Sequence, residues 1–189
     1  MIAPARRRAH VGRGRRQFVW RVGAAAMSAV EIRFAKPEDA PLLLALIREL
    51  AAYERTPDAV VATEDDLRRH GFGPEARFEA LLAFVDGRAA GLALFFPNFS
   101  TWTGSPGLYL EDLYVCDWAR RRGVGRRLVA RLAEVAVERG WTRLDLAVLD
   151  WNPARGFYRR LGFEERAAWL PCRAAGAALT RLAGLDEEE

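Results

Sequence analysis

The sequence predicts a mixed α/β (α+β) fold: one central sheet, antiparallel in its first half with a parallel strand pair in its second, flanked by helices. Three observations carry this. Short apolar runs at Ala80–Val85 and Ala90–Phe96 are joined by Asp86-Gly87, a hairpin signal, and a third run follows at Gly107–Val115. Two longer segments, around Leu43–Leu50 and Leu128–Ala136, repeat their apolar residues at helical spacing. From Gly107 to Leu149 the order is strand, helix, strand, and such a crossover joins parallel strands.

Taken in order, Glu31–Ala35 alternates, with Ile32 and Phe34 on one side, as a first strand does. Lys36-Pro37-Glu38-Asp39 then opens a helix, because proline and acids suit a first turn, and Leu43, Leu46, Ile47 and Leu50 form its apolar stripe as far as Tyr53 and Glu54. A shorter helix spans Thr63–Arg69 and is expected to stop at Gly71. After the three strands come a helix from Val124 to Arg139, a strand from Arg143 to Leu149, a helix from Pro153 to Leu161 capped by Asn152, and short extended pieces around Phe163–Arg173.

With 189 residues and 51% apolar content the chain can bury a sizeable core, and its length fits one domain. No stretch approaches the roughly 20 apolar residues that cross a bilayer, and no compact apolar secretory segment opens the chain, so a cytoplasmic protein without a membrane partner is expected. Two cysteines, Cys116 and Cys172, lack CxxC spacing, and only His10 and His70 could join them; neither a disulfide scaffold nor a metal site is expected.

The net charge of +4 has a local origin. Residues 1–30 hold seven arginines and no acid; without them 22 basic residues face 25 acidic ones, a balance of −3. Residues 1–26 therefore read as a disordered, Arg-rich extension ahead of a domain at 27–189, with Met27 as candidate initiator. A nucleic-acid-binding arm and an organelle transit sequence are the alternatives. Lysine occurs once, at Lys36, against 28 arginines, a usage bias better ascribed to genome composition than to guanidinium chemistry.

The stretch "CDWARRRGVGRRL" sets five arginines within Arg120–Arg127 around Gly123, Val124 and Gly125, between a strand and a helix. Unpaired amides and the positive end of the helix dipole meet there, and glycines let phosphate oxygens approach the backbone. Arginines beside the turn can add charge-assisted bonds. Solvated arginines on a glycine-permitted turn are the plainer reading. A nucleic-acid surface would interleave aromatics with bases over a wider area, and no nucleic-acid partner is expected.

"GLYLEDLYV" is apolar at odd and even positions, as in a central strand covered on both faces, yet Glu111 and Asp112 stand in its middle. Strict alternation sends the two to opposite faces unless a bulge intervenes. Either arginines neutralise them or they hold and deprotonate a cationic substrate. Tyr158, mid-helix beside Phe157, reads from the residues alone as core.

Together these residues resemble the GNAT superfamily of acetyl-CoA-dependent N-acetyltransferases, within it the diamine or polyamine family. The signature Arg/Gln-x-x-Gly-x-Gly/Ala stands at Arg120-Arg121-Arg122-Gly123-Val124-Gly125, and a sharper collinear set, "LIREL-AAYE", "HGFG", "STW", "LYLEDLYV", "LAVLDWN" and "FYRRLGF", runs within Ile32–Trp169. The resemblance implies a sheet that splays around acetyl-CoA and a homodimer. It also implies that Leu113, Tyr114, Val115, Arg120, Arg121, Arg122, Gly123, Val124, Gly125, Arg126, Asn152 and Tyr158 line the cofactor, with the Val115 backbone receiving the thioester carbonyl. Tyr158 is then the general acid and Glu111 the base, while Tyr53, Glu54, Trp102, Glu111, Asp112 and Trp169 face the substrate, and no metal takes part.

Two departures stand out. Family members often carry glycine where Arg121 stands. Polyamine-selective members carry an aspartate just ahead of the tryptophan, where this chain reads Ser100-Thr101-Trp102, so a thialysine-like amino acid or another short amine is expected. The competing readings are acetylation of a protein N-terminus or lysine, and a non-catalytic acyl-CoA-binding regulatory module.

Overall fold

The computed structural model describes residues 29–184. The expectation of a disordered extension at 1–26 lies outside them. Five strands, β1 (Val30–Phe34), β2 (Glu79–Val85), β3 (Arg88–Ser100), β4 (Ser105–Val115) and β5 (Leu144–Leu146), form one sheet in the order β1-β2-β3-β4-β5. The first three pairings are antiparallel and β4–β5 is parallel. Helices α1 (Ala40–Tyr53) and α2 (Glu64–Phe72) precede β2, α3 (Val124–Glu138) makes the crossover from β4 to β5, and α4 (Ala154–Arg160) and α5 (Ala177–Leu182) follow.

The alternation of each strand sorts its side chains into two cores, one per face. Leu81, Ala83, Ala93, Phe95, Leu108 and Leu110 pack with Leu128, Leu132 and Val135 of α3. On the other face Leu82, Leu92 and Leu94 pack with Leu43, Leu46 and Leu50 of α1 and Leu67 of α2. A corner salt bridge locks β1 to the start of α1: Arg33 grips Asp39 through Nη1 at 2.6 Å and Nη2 at 2.9 Å, and Asp39 also accepts the Lys36 amide.

Four expectations are corrected. Helix α2 continues through Gly71 to Phe72, because a side chain at Gly71 would collide with the Phe78 ring and its absence lets that ring pack on the helix; Thr63 caps the start. Strand β5 has three residues rather than seven, since it pairs with β4 only at Leu108–Leu110. Helix α4 begins one residue late, at Ala154, whose amide bonds the Asn152 Oδ1 at 2.9 Å. The segment Phe163–Arg173 forms turns without a strand, and α5 follows it unannounced.

Candidate active site

Strand β4 is the spine of the site. Its parallel partner β5 leaves it after Leu110, while β4 continues to Val115. Because the Cys116 amide bonds Ala90 on β3, strand geometry turns the backbone of Val115 toward the opposite edge, into the gap that β5 leaves. The sheet therefore splays beside Leu113–Val115.

The register of β4 against β3 slips between Leu94 and Phe95: Leu94 pairs Asp112 and Phe95 pairs Leu110, leaving Glu111 as the extra residue of a bulge. Leu110 and Leu113 both pack on the α3 face. Glu111 and Asp112, between them, consequently share the α1 face instead of taking opposite faces. The expectation of a strand covered on both faces fails here, because Glu111 is exposed whereas Asp112 is half-buried.

Glu54, at the C-terminal end of α1, joins this pair. Burial, then the charges of Glu111 and Glu54, push the Asp112 carboxyl from an ordinary 3.8 to about 6. Burial also raises Glu54. Tyr158 of α4 lies between the rings of Phe157 and Phe163, at centroid separations of 5.3 and 5.5 Å, and is pushed up to about 12 by burial and the charge of Glu54. Three carboxylates and a protonated phenol thus converge at the mouth of the splay, with no basic side chain forming an ion pair with any of the three among the described residues.

On the other side of β4, α3 begins at Gly123, whose φ of 80° is the left-handed conformation that glycine tolerates. Arg121 also has positive φ, 62°, the conformation that suits the glycine which the resemblance implies at that position. The arginines do not act as one patch. Arg120 donates from Nε to the Val115 carbonyl at 3.1 Å, pairs with Asp117 at 2.8 Å and lies 4.7 Å over the Tyr53 ring. Arg122 lies over Trp118, Arg127 reaches the Val30 carbonyl, and Arg121 and Arg126 stay exposed beside the helix start.

These residues fit the diphosphate and thioester of acetyl-CoA: the first-turn amides of α3 have no intrahelical partner, a side chain built at Gly123 would meet nothing within 4 Å, and the Val115 backbone faces the splay. Cys116 is buried with its thiol pushed up to about 11, an inert core residue.

Tyr53, Asn152 and Arg120 meet as well, the Tyr53 hydroxyl donating to Asn152 Oδ1 at 3.4 Å. Trp102 and Trp169 do not join them. They pack against each other, ring centroids 6.5 Å apart, at the β3–β4 hairpin, and from Ser105 to Glu111 the strand alone spans about 20 Å. Sequence reasoning missed Trp151 and Arg55. Trp151 approaches Tyr53 with centroids 6.4 Å apart, and the Arg55 guanidinium lies over the Trp151 ring, 4.5 Å from its centroid. The available signal was an arginine at the end of a helix where glycine is usual.

A parallel pair that parts beside a glycine-opened helix start is the arrangement that the resemblance to acyl-CoA-dependent acyltransferases implies, and comparison with known proteins establishes the class. Residues 43–163 match the Acetyltransferase (GNAT) family, and the chain belongs to it. It is 39% identical over 170 residues to the thialysine N-epsilon-acetyltransferase of Sus scrofa, covering 84% of this chain and 99% of the relative. It is 29% identical over 195 residues to an L-ornithine N5-acetyltransferase of Arabidopsis thaliana, covering 78% and 85%. Among solved structures, an integron cassette protein from the mobile metagenome of V. cholerae matches with a TM-score of 0.69 at 28% identity, covering 82% and 97%. The chain is an N-acetyltransferase, and acetyl-CoA is the donor its family uses. Among the described residues, no helix is long and apolar enough to cross a membrane.

Proposed function

We propose that this enzyme acetylates a primary amine of a small cationic molecule, a thialysine-like amino acid or short diamine, by direct attack in a ternary complex. The observation that carries the reading is the convergence of Glu54, Glu111 and Asp112 without a cationic partner: three carboxylates, two of them partly desolvated, lack only an ammonium group. The similarity to thialysine and ornithine acetyltransferases points the same way.

Acetyl-CoA, when bound, supplies an acetyl thioester. The α3 amides with the exposed Arg121 and Arg126 would hold its diphosphate, Leu113–Val115 and Asn152 would align it, and the Val115 amide would receive the thioester carbonyl. An alkylammonium with a pKa near lysine's, about 10.4, is only about one part in 10³ to 10⁴ neutral at pH 7, so its proton must be removed. Asp112 and Glu54 attract the cation; Glu111, open to solvent on the same face, takes the proton directly or through water. The neutral nitrogen would then attack the thioester carbon and the C–S bond would break, Tyr158 giving its proton to the departing sulfur and regaining one from the new amide nitrogen.

Trp102 and Trp169, packed on each other at the β3–β4 hairpin, cannot flank an amine at Glu111 within one chain. The reading is tested by thiol release from acetyl-CoA over a panel of thialysine, ornithine, lysine, putrescine and spermidine, with products identified by mass. Acetylation at the terminal amine of the short members is expected, and no turnover of any would refute it.

A further inference from the structure

Helix α1 ends in a complete Schellman motif: the Arg55 amide bonds the Ala52 carbonyl at 3.1 Å and the Thr56 amide bonds the Ala51 carbonyl at 2.9 Å. The residue at the turning point of that motif must take the left-handed conformation, and glycine normally occupies it. Here it is Arg55, at φ 65°. A side chain in a conformation that disfavours it points to a use for that side chain.

Its placement indicates which. Arg55 follows Glu54 directly, so it stands at the rim of the acidic site. Its guanidinium lies over Trp151, 4.5 Å from the ring centroid, and no hydrogen bond or ion pair ties it to another described residue. A guanidinium held over an aromatic ring by cation–π attraction spends none of its N–H donors there, and those of Arg55 have no hydrogen-bond partner among the described residues, so the fork that matches a carboxylate is available. Trp151 in turn leans on Tyr53, whose hydroxyl reaches Asn152, so the stacked arginine is fixed relative to the site.

We propose that Arg55 reads the carboxylate of the substrate and so selects ω-amino amino acids over plain diamines. This deepens the reading above and rests on it. Three carboxylates alone would welcome any polycation. With a guanidinium at the rim, the distal ammonium of a diamine meets like charge, whereas the zwitterionic end of an amino acid offers a carboxylate to the guanidinium and carries no net charge.

The test uses a matched pair that differs only in the carboxylate, thialysine and bis(2-aminoethyl) sulfide, its decarboxylated analogue, with the full chain and acetyl-CoA. The wild type is expected to show the higher kcat/KM for thialysine. Arg55→Gly, the residue the motif prefers, should leave Tm unchanged or higher and lower kcat/KM for thialysine by about 10- to 100-fold, while leaving the diamine unchanged or improved. Arg55→Lys should restore part of the preference. Equal kcat/KM for the pair in the wild type, or an equal change for both in Arg55→Gly, overturns the role of Arg55 while acetyl transfer stands. No turnover of either compound overturns the amine reading and this inference together.

Discussion

Two carboxylates on the same chain are treated in opposite ways. Asp39 is answered on every side: two bonds from Arg33 and the Lys36 amide hold its carboxyl below the ordinary carboxylate range. Asp112 has no such answer; burial and two neighbouring acids hold it at about 6. The first arrangement stabilises the native fold at neutral pH. The second opposes it, since below about pH 4 Asp112 is protonated folded or unfolded and costs nothing, whereas between about 4 and 6 the folded state alone retains the proton and stability falls as pH rises. In the function proposed above, the charge left unanswered at the mouth of the splayed sheet, in contrast to the one answered in the corner, is the place for a ligand's cation.

The contrast can be broken most forcefully through turnover. Tyr158→Phe should lower kcat by about 100-fold, a usual loss for a general acid, with Tm and acetyl-CoA affinity unchanged; thiol release at saturating substrates measures it, and unaltered turnover removes Tyr158 from its role. Asp39→Asn should do the reverse, costing about 2 kcal/mol of stability at pH 7 with kcat intact. Because the folded pKa of Asp39 is depressed, that loss should shrink as pH falls through it in denaturant titrations. Asp112→Asn should gain about 1–2 kcal/mol above pH 6, flatten the dependence of stability between pH 4 and 6, and raise KM for the amine. The smallest effect is expected of Glu111→Gln: an upward shift of the pH optimum, because more amine must then arrive neutral, and an identical profile would move the base elsewhere.

Much of the fold was legible because it follows period and punctuation. The apolar stripe of α3, the Asp86-Gly87 hairpin and the crossover each depend on neighbouring residues alone. The shortening of β5 was not, because its length is set by where it parts from β4, which runs on to Val115. Within the site, the residue types at Glu111, Asp112 and Tyr158 were visible, but their relation was not: a bulge at Glu111 is a matter of register against β3, and it decides that both acids share one face. The arginine run misled in the other direction. Sequence gives five like charges, while tertiary contacts draw Arg120 to Tyr53 and Asp117 and Arg122 to Trp118, leaving fewer for phosphate. Arg55 and Trp151 meet only because the end of α1 and the loop before α4 approach each other.

The most direct measurement is an NMR titration of the Asp112 side-chain carboxyl, in the free protein and with the cationic amine bound. The account predicts a midpoint near 6 without amine that moves toward the ordinary aspartate range when the ammonium settles beside it. A midpoint already near 3.8 in the free protein, or one that the amine leaves in place, would contradict it.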